Sequence, residues 1–320
     1  TREVTEPAAP DSVETGAPAE ELEPPLVGQH EVTQAIHAGI TSAFEGGKPT
    51  VVVLEGERGT GKTRLLFHAS EVAARMREDC RVLYGACRAQ GADGYYAPFG
   101  RMLLERFGVT PSSSPSSVRG AMATHVSEAL QSADAIAVAE TTHLLGHVAG
   151  VPFPDSPFLR EDGEPGQLHE RAVAAFRRMI AGEARQRPLV ILHAVEDDGW
   201  ELVQAALAAG GPIAVIAAGA PPVAARAEKL EAEGGLMIGP IAPLAEPDVA
   251  SFMQVLLPSL SEAPEPLVAA LTHRSGGNPS ALRELVFALV EQGLFVASPD
   301  GLVAALSMLE GGALPVTMYD

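Results

Sequence analysis

Hydrophobic runs and amphipathic stretches alternate along most of this chain. Apolar residues recur about one helical turn apart at Val32, Ile36 and Ile40, which predicts a helix over residues 31–45. The β-branched run over residues 50–54 predicts a strand that is buried on both faces. The same reasoning predicts further helices over residues 62–77, 98–107, most of 118–150, 166–186 and 200–209, and further strands over residues 81–85, 189–195 and 212–218. Such alternation predicts an α/β fold, a parallel sheet flanked by helices.

The pattern becomes mainly helical after Gly239 and Pro240. Helical periodicity predicts three helices, over residues 246–257, 264–274 and 279–292. The short apolar segment that follows, residues 294–303, contains a turn signal and is compatible with a hairpin. The last part of the chain is therefore expected to differ in architecture from the predicted sheet.

Charge and composition exclude several classes of function. The 320 residues contain 22 Lys and Arg against 41 Asp and Glu, which gives a net charge of −19. A chain so acidic repels phosphate, so we expect no direct nucleic-acid partner. Residues 1–25 are acidic and rich in proline, which predicts a disordered linker without a leader peptide. With two cysteines and no long apolar run, the sequence predicts a cytoplasmic protein without membrane contact.

A glycine-rich segment carries the most specific chemistry. Residues 56–63 match the phosphate-binding pattern GxxxxGK[ST] in full, between a predicted buried strand and a predicted helix. Glycines let backbone N–H groups face an anion, and the helix N-terminus adds positive potential. Lys62 is expected to reach the phosphates and Thr63 to ligate Mg²⁺. The residues expected to hold phosphate are Gly56, Gly59, Thr60, Gly61 and Lys62.

Nucleotide hydrolysis also needs a carboxylate at the end of a neighbouring strand, and the third predicted strand allows two registers. If the strand ends at Val195, Glu196 and Asp197 supply the acidic pair, and Asp197 is a metal ligand. If the strand ends at Leu192, the acidic positions fall on residues 193 and 194 and the metal ligand is missing. Both registers remain open at this point.

Four segments resemble those of AAA+ and STAND-type signalling ATPases. Residues 26–31 are similar to the LVGRxxE entry motif of that family, and the similarity continues through the phosphate loop to Arg64 and Leu65. Residues 187–200 are similar to the RPLVLVLEDLHWAD segment, and residues 274–286 to the RSGGNPxFLxELV motif of the lid. The resemblance covers about residues 26–293, and it is to the ATPase module that accompanies kinase, adenylate cyclase, LuxR-type or tetratricopeptide-repeat domains.

This resemblance implies a domain organisation and a ligand. It implies a P-loop NTPase core over residues 26–240, a C-terminal helical lid over 241–293, and the start of a further, winged-helix-like segment over 294–320. ATP or ADP with Mg²⁺ would bind between core and lid. Further nucleotide contacts implied by the resemblance are Gly28, Arg64, Asn278 and Pro279, the last two near the adenine.

The resemblance also bears on the register of the third strand. Trp200 follows Glu196 by four residues, as in the resembled segment, which favours the register with Glu196 and Asp197 as the acidic pair. The distance from Pro188 favours the other register, because the family strand is usually shorter. We prefer the register that Trp200 indicates.

Three departures from the family pattern concern catalysis. Gln29 stands where the family usually has arginine, and Glu201 and Leu202 replace the acidic residue that trails the tryptophan. Residues 219–222 read Gly-Ala-Pro-Pro where the family often has a polar sensor. Fewer groups are then available to orient water and offset charge in the transition state, so we expect nucleotide binding with slow hydrolysis.

The favoured function is an ATP/ADP-gated switch module of a bacterial-type signalling or transcription-control protein. Its expected partners are nucleotide and other domains or partner proteins, and a nucleotide-dependent oligomer is compatible with this class. The alternative is a catalytically inactive nucleotide-binding scaffold for protein–protein interaction. A metabolic P-loop kinase ranks third, because no acceptor-substrate motif is visible.

Overall fold

The computed structural model describes residues 26–86, 97–109, 113–132, 134–151, 153–160, 166–194, 199–260, 262–298 and 301–304. The strands are β1 (Thr50–Glu55), β2 (Arg81–Ala86), β3 (Leu189–Ala194), β4 (Ile213–Gly219), β5 (Leu236–Pro240), β6 (Phe295–Ser298) and β7 (Gly301–Ala304). The helices are α1 (His30–Gly46), α2 (Lys62–Met76), α3 (Ala97–Arg106), α4 (Pro115–Leu130), α5 (Ala135–Val148), α6 (Gln167–Gln186), α7 (Trp200–Leu207), α8 (Val223–Ala227), α9 (Glu246–Leu256), α10 (Glu265–Ser275) and α11 (Pro279–Glu291). The predicted linker over residues 1–25 lies outside the described residues.

Five parallel strands form one sheet in the order β2-β3-β4-β1-β5. At the last residue of β1, Glu55 pairs with Gly219 of β4 on one side and with Pro240 of β5 on the other. The carboxyl ends of all five strands therefore lie at one edge. In open α/β sheets this edge is where ligands bind.

Helices cover both faces of the sheet, because side chains alternate along each strand. Val51 and Val53 of β1 point into the core that includes residues of α3 to α8. Val52 and Leu54 point into the opposite core, which is closed by α1 and α2. The predicted α/β architecture with a parallel sheet flanked by helices is confirmed.

A third apolar cluster lies in the helical segment after the sheet. Leu267 of α10 and Leu285 of α11 are fully buried in it together with Val249 of α9. Val27, from the segment that precedes α1, packs against this cluster, so the start of the described chain contacts its helical end. We call α9 to α11 the lid, and its limits as a domain stay a prediction.

Two elements of the sheet region were not predicted, whereas the hairpin after the lid is present. No local pattern of apolar residues predicts β5 or the short helix α8. The compatible hairpin after the lid is present, since β6 pairs with β7 in antiparallel fashion. No helix in the described stretches combines the length and the apolar content that crossing a membrane requires.

A buried carboxylate ties four elements together at the amino edge of the sheet. Glu183 of α6 is 2% exposed and accepts hydrogen bonds from Arg81 at the start of β2 and from Arg106 at the end of α3. A further nitrogen of Arg106 lies 3.3 Å from Nδ1 of His125 on α4. A buried carboxylate needs such partners, because its desolvation is otherwise uncompensated.

Candidate functional site

The phosphate-binding sequence forms a loop at the carboxyl end of β1. Its first amide, of Gly56, donates to the carbonyl of Gly219 at 3.1 Å, which holds the loop against the end of β4. Gly59 and Gly61 have φ angles of 84° and 93°, which glycine adopts without strain. Helix α2 begins at Lys62 directly after them, so its N-terminal amides face the loop. The loop has the backbone form that its glycines predict.

Three hydrogen-bond donors converge on one oxygen inside this loop. Lys62 Nζ donates to the carbonyl of Glu57 at 2.7 Å, and Thr60 Oγ1 donates to the same oxygen at 2.8 Å. The Thr60 amide approaches it at 3.4 Å. Lys62 Nζ also donates to the carbonyl of Gly56 at 2.7 Å. An ammonium, a hydroxyl and an amide that share an acceptor are a donor set suited to a phosphate oxygen.

The ammonium of Lys62 is the cationic group that contacts the carbonyls of the loop. Burial lowers the pKa of Lys62 below its usual value, and the nearby Glu57 carboxylate partly offsets that shift. An ammonium that has lost part of its hydration gains more from an anionic ligand than an exposed one does. The site is therefore suited to bind a negatively charged ligand.

Two predicted contacts lie on the first turn of α2. Thr63 is exposed at the helix start, beside the loop, and its role as a ligand of Mg²⁺ stays a prediction. Arg64 comes next, and its guanidinium is 3.6 Å from the carboxylate of Glu71, about two turns along the helix. Within the described residues no group of three or more His, Cys, Asp or Glu side chains could hold a metal.

The lid contacts the phosphate loop directly. Asn278, which precedes α11, donates from Nδ2 to the carbonyl of Arg58 at 2.8 Å. The amide of Ser280 donates to the carbonyl of Gly59 at 3.2 Å. Pro279 lies between these two residues as the first residue of α11. Asn278 and Pro279, implied as contacts near the adenine, are thus placed at the backbone of the phosphate loop.

The entry segment meets the lid beside this site. Gly28 has a φ angle of 66°, and a Cβ atom there would lie 2.9 Å from the carboxylate of Asp248 on α9. Gln29 donates from its side chain to the carbonyl of Ala242, in the connection from β5 to the lid. Gly28 therefore lies where core and lid join, and its role as a nucleotide contact stays a prediction.

The third strand continues past Leu192, the end that the missing-ligand register requires. The ladder between β3 and β4 continues to Ala194, so the strand does not stop at Leu192, and His193 and Ala194 are strand residues. His193 is fully buried, with its ring centroid 4.8 Å from that of Phe99. Glu196 and Asp197 lie outside the described residues, so their assignment as acidic pair stays a prediction.

The structure adds residues that the sequence did not single out. Glu55, the last residue of β1, accepts a hydrogen bond at 2.9 Å from the amide of Ala224 in α8. It thereby links the start of the phosphate loop to the segment after β4. The signal available in the sequence was a carboxylate at the end of an otherwise apolar strand. Arg58 and Ser280 contribute backbone groups, which no side-chain pattern reveals.

Comparisons with known proteins identify the family to which the chain is similar. The model of the AAA ATPase domain family matches residues 25–216, more than half of the chain. The comparison with curated proteins found no match. Eleven chains of solved structures match. One of them is the Aeropyrum pernix ORC2 protein, solved in ADPNP–ADP complexes, with 12% identity and a TM-score of 0.45 over 94% of this chain and 72% of that chain.

Membership of the matched family implies that the chain binds a nucleotide. The loop at the end of β1 supplies the glycines, the lysine and the hydroxyl that such binding uses. The family match covers the phosphate loop together with β1 to β3 and the first four residues of β4. This chain belongs to the AAA ATPase domain family.

Proposed function

We propose that this chain is a regulatory switch that responds to ATP and ADP and hydrolyses ATP slowly. The observation that carries the proposal is the contact between the phosphate loop and the start of α11 through Asn278 and Ser280. A phosphate held by this loop would act on the lid without an intermediate element. The resulting shift of lid against core is the signal that flanking domains, partner proteins or a second copy would receive.

Binding is assigned to the loop and the start of α2. The backbone of Gly56, Gly59 and Gly61 would surround the phosphates, and the Lys62 ammonium would neutralise part of their charge. Thr63 would hold Mg²⁺, with Asp197 as the proposed carboxylate ligand. When bound, Mg²⁺ supplies charge neutralisation on the phosphate oxygens.

Slow turnover is proposed from the groups that surround the loop. Strand β4 ends at Gly219, and Ala220 and two prolines follow, so no polar side chain there could orient the attacking water. Transition-state stabilisation depends on such preorganised groups. We therefore expect a rate below ~1 s⁻¹, the low end of typical enzyme turnover.

Nucleotide titration of the wild type and of Lys62→Ala tests the binding part. We expect the substitution to weaken Mg·ATP binding by at least about tenfold, which is roughly 1.4 kcal/mol. Thermal stabilisation by Mg·ATP should be lost with it. Lys48→Ala is the matched control, because Lys48 is exposed in the turn between α1 and β1. Equal melting shifts for the wild type and Lys62→Ala would contradict the proposal.

The hydrolytic part is tested by phosphate release from ATP under multiple-turnover conditions. Glu196→Gln and Asp197→Asn should each reduce a measurable wild-type rate. If neither substitution changes it, the acidic assignment is wrong. A wild-type rate of about ten per second or more, typical of enzymes, would contradict slow turnover. Tight binding without any hydrolysis would favour the scaffold alternative.

A further inference from the structure

We propose that Asn278 is a positioning residue for the phosphate loop, and that it couples nucleotide affinity to docking of the lid. The inference rests on the proposed nucleotide site and specifies how that site is regulated. We use the term latch for two hydrogen bonds: Asn278 Nδ2 to the Arg58 carbonyl at 2.8 Å, and the Ser280 amide to the Gly59 carbonyl at 3.2 Å.

The latch determines the direction of two loop amides. In a planar trans peptide the C=O and the following N–H point in opposite directions. When the Arg58 carbonyl points to the lid, the Gly59 amide points away from it, and the same relation holds between the Gly59 carbonyl and the Thr60 amide. The Thr60 amide does point to the loop interior, where it approaches the Glu57 carbonyl that Lys62 also contacts.

Loop and lid are in close contact at Gly59, where there is no room for a side chain. A Cβ atom at Gly59 would lie 2.6 Å from Oδ1 of Asn278 and 3.0 Å from Cβ of Ser280. Only the absence of a side chain allows this approach. Movement of α11 away from the core must therefore break both bonds of the latch and release both carbonyls.

Asn278 uses one side-chain atom to cap α11 and another to contact the phosphate loop. Its Oδ1 accepts from the amides of Ser280 and Ala281 at 3.0 and 3.3 Å, which caps α11. Its Nδ2 makes the bond to the loop. Aspartate and serine also cap helices but lack the amide donor, so these substitutions remove the bond to Arg58 and keep a capping oxygen.

Coupling of this kind is reciprocal. If the latched lid raises nucleotide affinity, bound nucleotide must stabilise the latch by the same factor. We infer that the coupling is positive, so that a docked lid raises nucleotide affinity. The reason is that the latch directs the Gly59 and Thr60 amides away from the lid, and the Thr60 amide points toward the loop interior. Loss of one hydrogen bond of ordinary net strength corresponds to about a two- to tenfold change in affinity.

The test compares binding of Mg·ADP and Mg·ATP by the wild type, Asn278→Ser, Asn278→Asp and Lys62→Ala. The matched control is Asp134→Ala. Asp134 caps α5 through the same pair of contacts, at 2.9 and 3.3 Å, and α5 packs on α3, α4 and α6. We expect about two- to tenfold weaker binding in both Asn278 variants, from the loss of one hydrogen bond, and no change in the control.

Amide hydrogen exchange at Ser280 and Ala281 is the second measurement, since a purely structural cap would not respond to ligand. Mg·ADP should slow exchange there in the wild type and have little effect in the Asn278 variants. Unchanged or tighter binding in Asn278→Ser and Asn278→Asp, with Lys62-dependent binding in the wild type, would overturn the latch alone. Absence of nucleotide binding by the wild type would overturn the proposed function and the latch together.

Discussion

Removing the charge of Glu183 is expected to destabilise the fold substantially. The Glu183 carboxylate accepts from Arg81 Nη1 at 2.7 Å and from Arg106 Nη2 and Nε at 2.6 and 3.0 Å. Glutamine has nearly the same shape, but it carries no charge, and its amide group would face a guanidinium donor. Glu183→Gln therefore leaves two arginines without their buried counter-charge.

The size of the destabilisation expected for Glu183→Gln follows from the burial of the Glu183 carboxylate. Breaking a buried ion pair by removing one partner costs about 3–5 kcal/mol. The side chains of Arg81 and Arg106 are 21% and 12% exposed, so water can compensate part of the loss. We therefore expect a decrease in the free energy of unfolding at or somewhat below the lower limit, about 2–3 kcal/mol. Glu140→Gln is the control, because its pair with Arg171 is 30–35% exposed and should contribute at most about 1 kcal/mol.

Urea denaturation of the wild type and both variants measures the difference. A lower midpoint at unchanged m value would show that stability has changed while the exposed surface has not. If Glu183→Gln lowers stability no more than Glu140→Gln does, the buried carboxylate is not what holds the two arginines, and the reasoning is refuted.

Three further predictions concern charge, packing and spectroscopy. Phosphate binding needs the ammonium of Lys62, and burial lowers the pKa of Lys62. Nucleotide affinity measured by calorimetry should therefore fall as the pH rises, with the midpoint of the fall below the usual pKa of lysine. Lys62→Arg should abolish this pH dependence. In thermal melts Gly182→Ala should cost about 1–3 kcal/mol, because its Cβ would overlap the Ala129 carbonyl. Gly120→Ala, where a Cβ meets nothing within 4 Å, should gain roughly 0.5–1 kcal/mol. Mg·ATP should change the emission of Trp200, the one tryptophan of the chain, which begins α7 directly after the proposed acidic segment.

The phosphate loop and its flanking elements could be predicted because their signals are local. The buried run of β1, the glycines and the helical periodicity of α2 all lie within about thirty residues of sequence. Strand β5 lacks such a signal. It has five residues at the sheet edge, and Ile238 is 43% exposed, so neither alternation nor a continuous buried run marks it. Its position depends on pairing with β1, which is a long-range interaction.

The contacts that distinguish this site are also long-range. Asn278 and Arg58 are 220 residues apart in sequence, and the bond between them uses a backbone carbonyl that any residue type would supply. Sequence resemblance placed Asn278 near the nucleotide but could not identify its partner. Glu183 is similar, since a glutamate on an amphipathic helix is ordinarily expected in solvent, and its burial depends on Arg81, 102 residues away.

The Glu57 carbonyl at the centre of the loop has a consequence for ligand selection. The Lys62 ammonium and the Thr60 hydroxyl already have this neutral acceptor, so an incoming ligand must compete with it. Water or a sugar hydroxyl offers no stronger acceptor than a carbonyl. An ionised phosphate oxygen places a negative charge opposite the ammonium, and it makes the bond from the Thr60 hydroxyl charge-assisted, about twice as strong as a neutral one. We therefore expect the loop to prefer anions over neutral molecules, and an anion that binds Lys62 must replace the carbonyls of Glu57 and Gly56 as its acceptors.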